Sequence, residues 1–141
     1  MSKIRGPVSE LLFPPFVLLL KIVDMLIEES NKENANFATL EELKEAVKEV
    51  VIEYCREAWS EGRMPLYTFK FQWESPELER DLSVLFNGDF ISSASKITLT
   101  ERGKCFLERY KDIVYLDQYE ERIKKAIDKV ISKINKEKRE S

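Results

Sequence analysis

Leu82-x-x-Leu85-x-x-Gly88-x-x-Ile91, followed by Leu99-Thr100-x-x-Gly103-x-x-x-Leu107, is the stretch on which the reading of this chain turns. Leu78, Leu82, Leu85 and Phe86 recur at helical spacing. Ser75-Pro76-Glu77 supplies an N-cap, a first-turn proline and an acid for that helix. Gly88 is the residue expected in the left-handed position beyond its end. The spacing therefore predicts a helix over 76–87. Phe90–Ser93 and Lys96–Thr100 then read as two short strands joined by the small polar turn Ser93-Ala94-Ser95. Thr100 is placed to cap a further helix from Glu101 to about Lys111, and Gly103 marks a point of close packing within it.

Upstream, Leu11 to Ile27 is an apolar run, but Pro14-Pro15 interrupts it, Lys21 and Asp24 sit in its second half, and no small-residue cleavage pattern follows. It reads as a helix from about Pro15 to Ser30 rather than a membrane span or signal peptide. Phe16, Leu19, Leu20, Val23, Leu26 and Ile27 line one face, and Val17, Leu18, Ile22 and Met25 leave little of the rest polar, so this is expected to be the core helix. Asn31 to Asn36 is turn-like, and Phe37-Ala38 is expected to form a very short strand. Thr39 with Glu42 makes a capping box for a helix ending at Glu61-Gly62. Its stripe is Leu40, Leu43, Val47, Val50, Val51, Tyr54 and Ala58. Glu41-Lys44-Glu45-Lys48-Glu49 lies opposite and reads as a solvated face with pairs three and four residues apart. After the linker Arg63-Met64-Pro65, Leu66 to Trp73 alternates, with Tyr67, Phe69, Phe71 and Trp73 on one side of an expected strand. Such a row either packs in a core or stacks on exposed bases, and the scarcity of basic neighbours beside Lys70 favours the core.

Downstream, Leu116, Tyr119, Ile123, Ile127, Val130 and Ile134 mark the stripe of a last amphipathic helix running to about Lys136. Two docking sites are open to that stripe, the Phe16–Ile27 helix or its copy in a second subunit. Tyr119, Ile123, Ile127, Val130 and Ile134 are accordingly the candidate dimer interface, with residues 1–112 as one domain and 113–141 as a dimerisation helix. The basic end from Lys124 to Arg139 is either a solvated face or a nucleic-acid contact.

With 141 residues, 43% hydrophobic and 35% charged, the chain is long enough for a real core and too apolar to be disordered. The abundance of Lys, Glu and Ile and the absence of histidine resemble the composition of thermophile proteins. The formal net charge of −3 is unevenly placed: residues 31–62 carry four basic and eight acidic side chains, residues 116–141 eight and six. Two cysteines and no C-x-x-C give no zinc pattern, and no metal or cofactor is expected. Cys55 is expected beside an apolar stripe, a Cys55–Cys105 bridge being the alternative.

The order helix, short strand, helix, helix, hairpin resembles the winged helix-turn-helix superfamily of prokaryotic and archaeal regulators, over residues 16–111. The resemblance rests on the two phrases quoted at the outset, which in that superfamily end the recognition helix and leave the wing. A fainter likeness is to antitoxin-like and phage-associated winged-helix proteins, which carry Gly-Pro-x-Ser after an aromatic strand where this chain has Trp73-Glu74-Ser75-Pro76. The resemblance implies a mainly α (α+β) fold in which the helix over 76–87 enters the major groove of double-stranded DNA and the hairpin braces the backbone. Carried onto this sequence, the outward helix face is Glu77, Arg80, Ser83, Val84 and Asn87, and the wing offers Ser92, Ser93, Ser95 and Lys96. The candidate DNA-binding residues are thus Ser75, Arg80, Ser83, Asn87, Ser93, Ser95 and Lys96, with Arg102 and Lys104 toward phosphates.

Glu74, Glu77, Glu79 and Asp81 crowd the start of the same helix, where phosphate would be repelled. They support a second expectation, a winged-helix protein-interaction module that binds a protein partner and not DNA. Catalysis is not expected, because there is no Gly-rich phosphate loop, no nucleophile elbow and no histidine. The sequence thus predicts a cytoplasmic transcription regulator of winged-helix type, homodimeric and without membrane association.

Overall fold

The computed structural model describes residues 14–32, 37–63, 67, 69–94, 96–110, 112 and 117–140. In chain order these form α1 (Pro14–Asn31), α2 (Leu40–Ser60), a 3-10 turn at Phe71–Trp73, α3 (Pro76–Asn87), β1 (Ile91–Ser92), β2 (Thr98–Leu99), α4 (Glu101–Tyr110) and α5 (Asp117–Glu140). The described chain is mainly helical, with a two-stranded antiparallel sheet in which Ile91 pairs with Leu99 and Ser92 with Thr98. No described helix is long and apolar enough to cross a membrane.

Helix α1 is central because it is apolar nearly all round. Leu18, Leu20, Ile22, Val23 and Leu26 have no exposed surface, and α2, α4, α5 and β2 all pack on this helix. At the start of α2 the Thr39 hydroxyl accepts from the Glu42 amide (3.1 Å). The Glu42 carboxylate reaches back to the Ala38 amide (2.7 Å), one residue before the cap itself. Phe37 and Ala38 lie outside any strand. The helix ends where Gly62 adopts a left-handed φ of 74°: its amide donates to Trp59 and that of Arg63 to Ala58, closing a Schellman motif.

Among the described residues the expected aromatic strand is not formed. Leu66 and Thr68 lie outside the described residues, and from Lys70 to Glu74 the backbone folds into a tight turn. Gln72 and Trp73 take left-handed φ values of 63° and 58°, and the Lys70 amide donates to the Glu74 carbonyl at 2.6 Å. Period-two alternation needs an extended backbone, and two left-handed residues remove it. Tyr67 is buried, Phe69 packs edge-on against Trp73 at 5.3 Å, and Trp73 keeps 37% of its surface exposed.

Helix α3 starts as expected, with Ser75 accepting from the Leu78 amide, and buries Leu78, Leu82 and Leu85. The expected left-handed Gly88 is corrected: its φ is −100°, and Asp89 instead takes φ 64°. Gly88 answers a need for room, since a Cβ there would lie 2.5 Å from the Val84 carbonyl oxygen. The two strands are also shorter than expected, two residues each. A compact joint holds them to α4. The Thr100 hydroxyl donates to the Asp89 carbonyl (2.6 Å) and accepts from the Gly103 amide (3.1 Å), while the Thr100 amide donates to the Phe90 carbonyl (2.9 Å). A Cβ on Gly103 would meet that same carbonyl oxygen at 2.5 Å, so only glycine lets α4 come this close. Phe16, Phe90 and Phe106 close the joint edge-to-face, with centroids 5.4–5.6 Å apart.

Helix α5 joins the same core, lying against α2 and α1. Ile123, Ile127 and Val130 are 0%, 1% and 5% exposed, and Tyr119 and Ile134 pack partly buried beside them. The stripe read as a dimer interface is therefore covered within the chain, chiefly by α2. Cys55 is buried and Cys105 exposed, both as thiols, so the alternative disulfide is not formed.

Candidate nucleic-acid interface

The outward face of α3 lies where the sequence places it. With Leu78, Leu82 and Leu85 turned into the core, Glu77, Arg80, Ser83, Val84 and Asn87 all emerge exposed. Val84 keeps 49% of its surface, a large apolar side chain set among polar ones. The Asn87 amide donates to the Ser83 hydroxyl at 3.2 Å, one turn apart, which holds two hydrogen-bonding groups in a fixed mutual position. The side chain of Arg80 is 71% exposed, its guanidinium 3.8 Å from Asp81. Ser75 does not belong to this face. It is 3% exposed and occupied as the N-cap, its hydroxyl also donating to Glu77 at 3.3 Å, so it is removed from the candidate contacts.

Two of the four acids at the start of α3 have partners on other elements. Glu79 pairs with Lys48 on α2 at 2.8 Å, and that hydrogen bond holds the lysine above its ordinary titration range. Asp81 accepts from the Tyr67 hydroxyl at 2.7 Å. Burial, and then this bond, push the phenol's titration up, so Tyr67 stays a donor. Glu79 and Asp81 are thus tied into the packing of α3 on α2 and the loop before it, while Glu74 and Glu77 stay exposed.

On the hairpin, Ser93 and Lys96 are exposed, and they line a cleft of about 260 Å³ with Ser30, Asn31 and Ala38. They sit beside the C-terminal end of α1 and the start of α2. Ser95 lies outside the described residues. Arg102 lays its guanidinium over the Phe90 ring, 4.7 Å from the centroid, and so braces the joint described above. Lys104 is exposed on α4 and its charge acts on Asp24 of α1, where burial raises the carboxyl's titration and Lys21 and Lys104 oppose that rise. The candidate set is thus divided: Arg80, Ser83 and Asn87 share one helix face, Ser93 and Lys96 one cleft, and Arg102 and Lys104 belong to α4.

The basic end of α5 is met by carboxylates along part of its length. Lys129 meets Glu57 at 2.8 Å and Lys133 meets Glu49 at 3.4 Å, with Arg122 4.0 Å from Glu61 and Glu120 3.6 Å from Lys21. The hydrogen bond from Lys129 holds the Glu57 carboxyl below its usual range. The acid excess on α2 and the basic excess on α5 are thus partners across an interface. The charge run from Glu41 to Glu49 keeps its glutamates exposed, and its pairs at Lys48 and Glu49 also reach Glu79 and Lys133 on other helices.

One exposed residue escaped the sequence reading. Trp59 on α2 is 77% exposed. Its signal was available, because position 59 falls off the stripe that runs through Tyr54 and Ala58. Three residues before it, Arg56 stacks over Trp73 at 4.9 Å. No family model, curated protein or solved structure matches this chain.

Proposed function

We propose that this chain is a DNA-binding regulator of winged-helix type, reading duplex DNA with α3 and bracing it with the β1–β2 hairpin. The observation that carries the reading is the outward face of α3. Arg80, Ser83 and Asn87 are exposed together on a helix whose other face is anchored by three buried leucines. A guanidinium suits a guanine edge or a phosphate, and a carboxamide suits an adenine edge. Lys96 and Ser93, exposed on the hairpin, supply backbone contacts of the kind that position without specifying. The engagement of Glu79 by Lys48 and of Asp81 by Tyr67 supports the reading, since it moderates the repulsion that the sequence alone implies.

Because the α5 stripe is covered within one chain, the proposed binding unit is a monomer, and sedimentation velocity of the wild type checks this. Fluorescence anisotropy on mixed-sequence duplex DNA across a salt series tests the reading itself. Micromolar affinity falling steeply with salt is expected, with each phosphate contact adding about 0.9 to the logarithmic slope. No binding at low salt contradicts it. The second reading, a protein-interaction module without DNA contact, is favoured by the exposed Glu41, Glu45 and Glu49 along α2.

A further inference from the structure

The outward face of α3 is polar except near its centre. Glu77, Arg80, Ser83, Val84 and Asn87 are exposed on one side of the helix, opposite the buried Leu78, Leu82 and Leu85. Val84 keeps 49% of its surface, although valine is a poorer helix former than the alanine, glutamate or lysine that suits an exposed helical position. Arg80 lies one turn before it and Asn87 one turn after, so any surface that meets both also covers Val84. The Asn87 amide nitrogen carries two hydrogens and donates one of them to the Ser83 hydroxyl at 3.2 Å. Its second hydrogen and the carboxamide oxygen are the donor and acceptor that fit N7 and N6 of adenine. The bond to Ser83 restrains the carboxamide beforehand, so less rotational freedom is lost on contact.

We infer, on the reading of α3 proposed above, that Val84 selects a thymine by contact with its C5-methyl group and that Asn87 reads the adenine of the neighbouring base pair. In the major groove the base edges offer hydrogen-bond donors and acceptors, and the thymine methyl is the apolar group among them. Opposite thymine, Val84 buries methyl against methyl. Opposite guanine, cytosine or adenine it displaces water from a polar edge and returns no hydrogen bond, which costs affinity. The spacing fits adjacent pairs, because three residues of helix rise about 4.5 Å against a base step of about 3.4 Å. The preferred duplex therefore carries two adjacent A·T pairs, one read by its methyl and the next by its adenine.

The test uses the full chain and duplexes selected from a random-sequence pool for tight binding. The selected sites are expected to share two adjacent A·T pairs. In such a duplex each thymine is replaced in turn by deoxyuridine, which removes the methyl and keeps every hydrogen-bonding group. At one position the replacement should weaken wild-type binding roughly fourfold, the effect of losing one buried methyl-sized contact. Val84→Ala should bind the thymine duplex as weakly as the wild type binds the deoxyuridine duplex, and should lose sensitivity to the replacement. The wild-type measurement does not depend on a variant folding. Duplex binding that no deoxyuridine weakens, a deoxyuridine effect undiminished in Val84→Ala, or selected sites without an A·T pair beside the sensitive thymine would each overturn this assignment alone. No duplex binding at low salt would overturn it together with the DNA reading of α3.

Discussion

Helix α5 and the α3–hairpin unit both carry cations on amphipathic elements, yet the fold uses them in opposite ways. On α5, Lys129 and Lys133 meet glutamates of α2 while Ile123, Ile127 and Val130 enter the common core. On α3 and the hairpin, Arg80 and Lys96 are exposed, and it is the acids Glu79 and Asp81 that are met by Lys48 and Tyr67. Counting charges along the chain makes the C-terminal end the more basic region. Placement discounts Lys129 and Lys133, because a cation that already has a carboxylate partner has less to offer a phosphate, and a lesser discount falls on Arg80, 3.8 Å from Asp81. The difference shows that charge availability is a property of packing, not of composition.

The largest effect expected from breaking this contrast is at Ile127. Replacing it by Asp buries an unpaired carboxylate in the core and should cost about 3–5 kcal/mol. Urea unfolding should show a large loss of stability; a fully stable protein of altered oligomeric state would return the stripe to a subunit interface. Next is Gly103→Ala, which sets a methyl against the Phe90 carbonyl oxygen and should cost about 1–3 kcal/mol. The loss should be read by thermal unfolding, with amide exchange quickening at Thr100 and in the hairpin. Unchanged stability would mean that α4 is not held by this close approach.

A smaller, pH-dependent effect is expected at Asp24, whose carboxyl is raised above its ordinary 3.8, by burial first. Such a group contributes stability fully below the ordinary value and loses it as pH rises through the raised one. Asp24→Asn should therefore raise the unfolding midpoint at neutral pH, with the gain vanishing as pH falls to 3.8 and below. A gain that persists undiminished in acid would rule out this origin. Smallest should be Lys129→Ala. Its pair with Glu57 lies at the surface, so the drop in midpoint should be slight and should disappear in high salt.

Most helices were legible because their ends are written in short-range chemistry. Thr39 with Glu42, Ser75 with Pro76, and Gly62 each act within four residues, and the structure uses all three. The joint between hairpin and α4 was legible for the same reason, through Thr100 and Gly103. The stretch around Phe71–Trp73 was misread because alternation of side chains does not report φ, and a left-handed Gln72 leaves no mark in the pattern. The position of Gly88 was read correctly and its cause was not: room beside Val84, not a left-handed turn, requires it. In the candidate site, the exposed face of α3 followed from the spacing of its leucines. The loss of Ser75 to burial and the pairing of Lys129 with Glu57 depend on contacts between distant elements, which local spacing does not encode.

The most direct test of the central claim is duplex affinity measured side by side for two double variants. Arg80→Ala/Lys96→Ala removes exposed cations of α3 and the hairpin, and Lys129→Ala/Lys133→Ala removes cations engaged by α2. The account predicts that the first pair weakens binding at least roughly tenfold and lowers the salt slope by about 1 or more, while the second leaves both nearly unchanged. Equal loss in the two, or loss confined to the second, would contradict it.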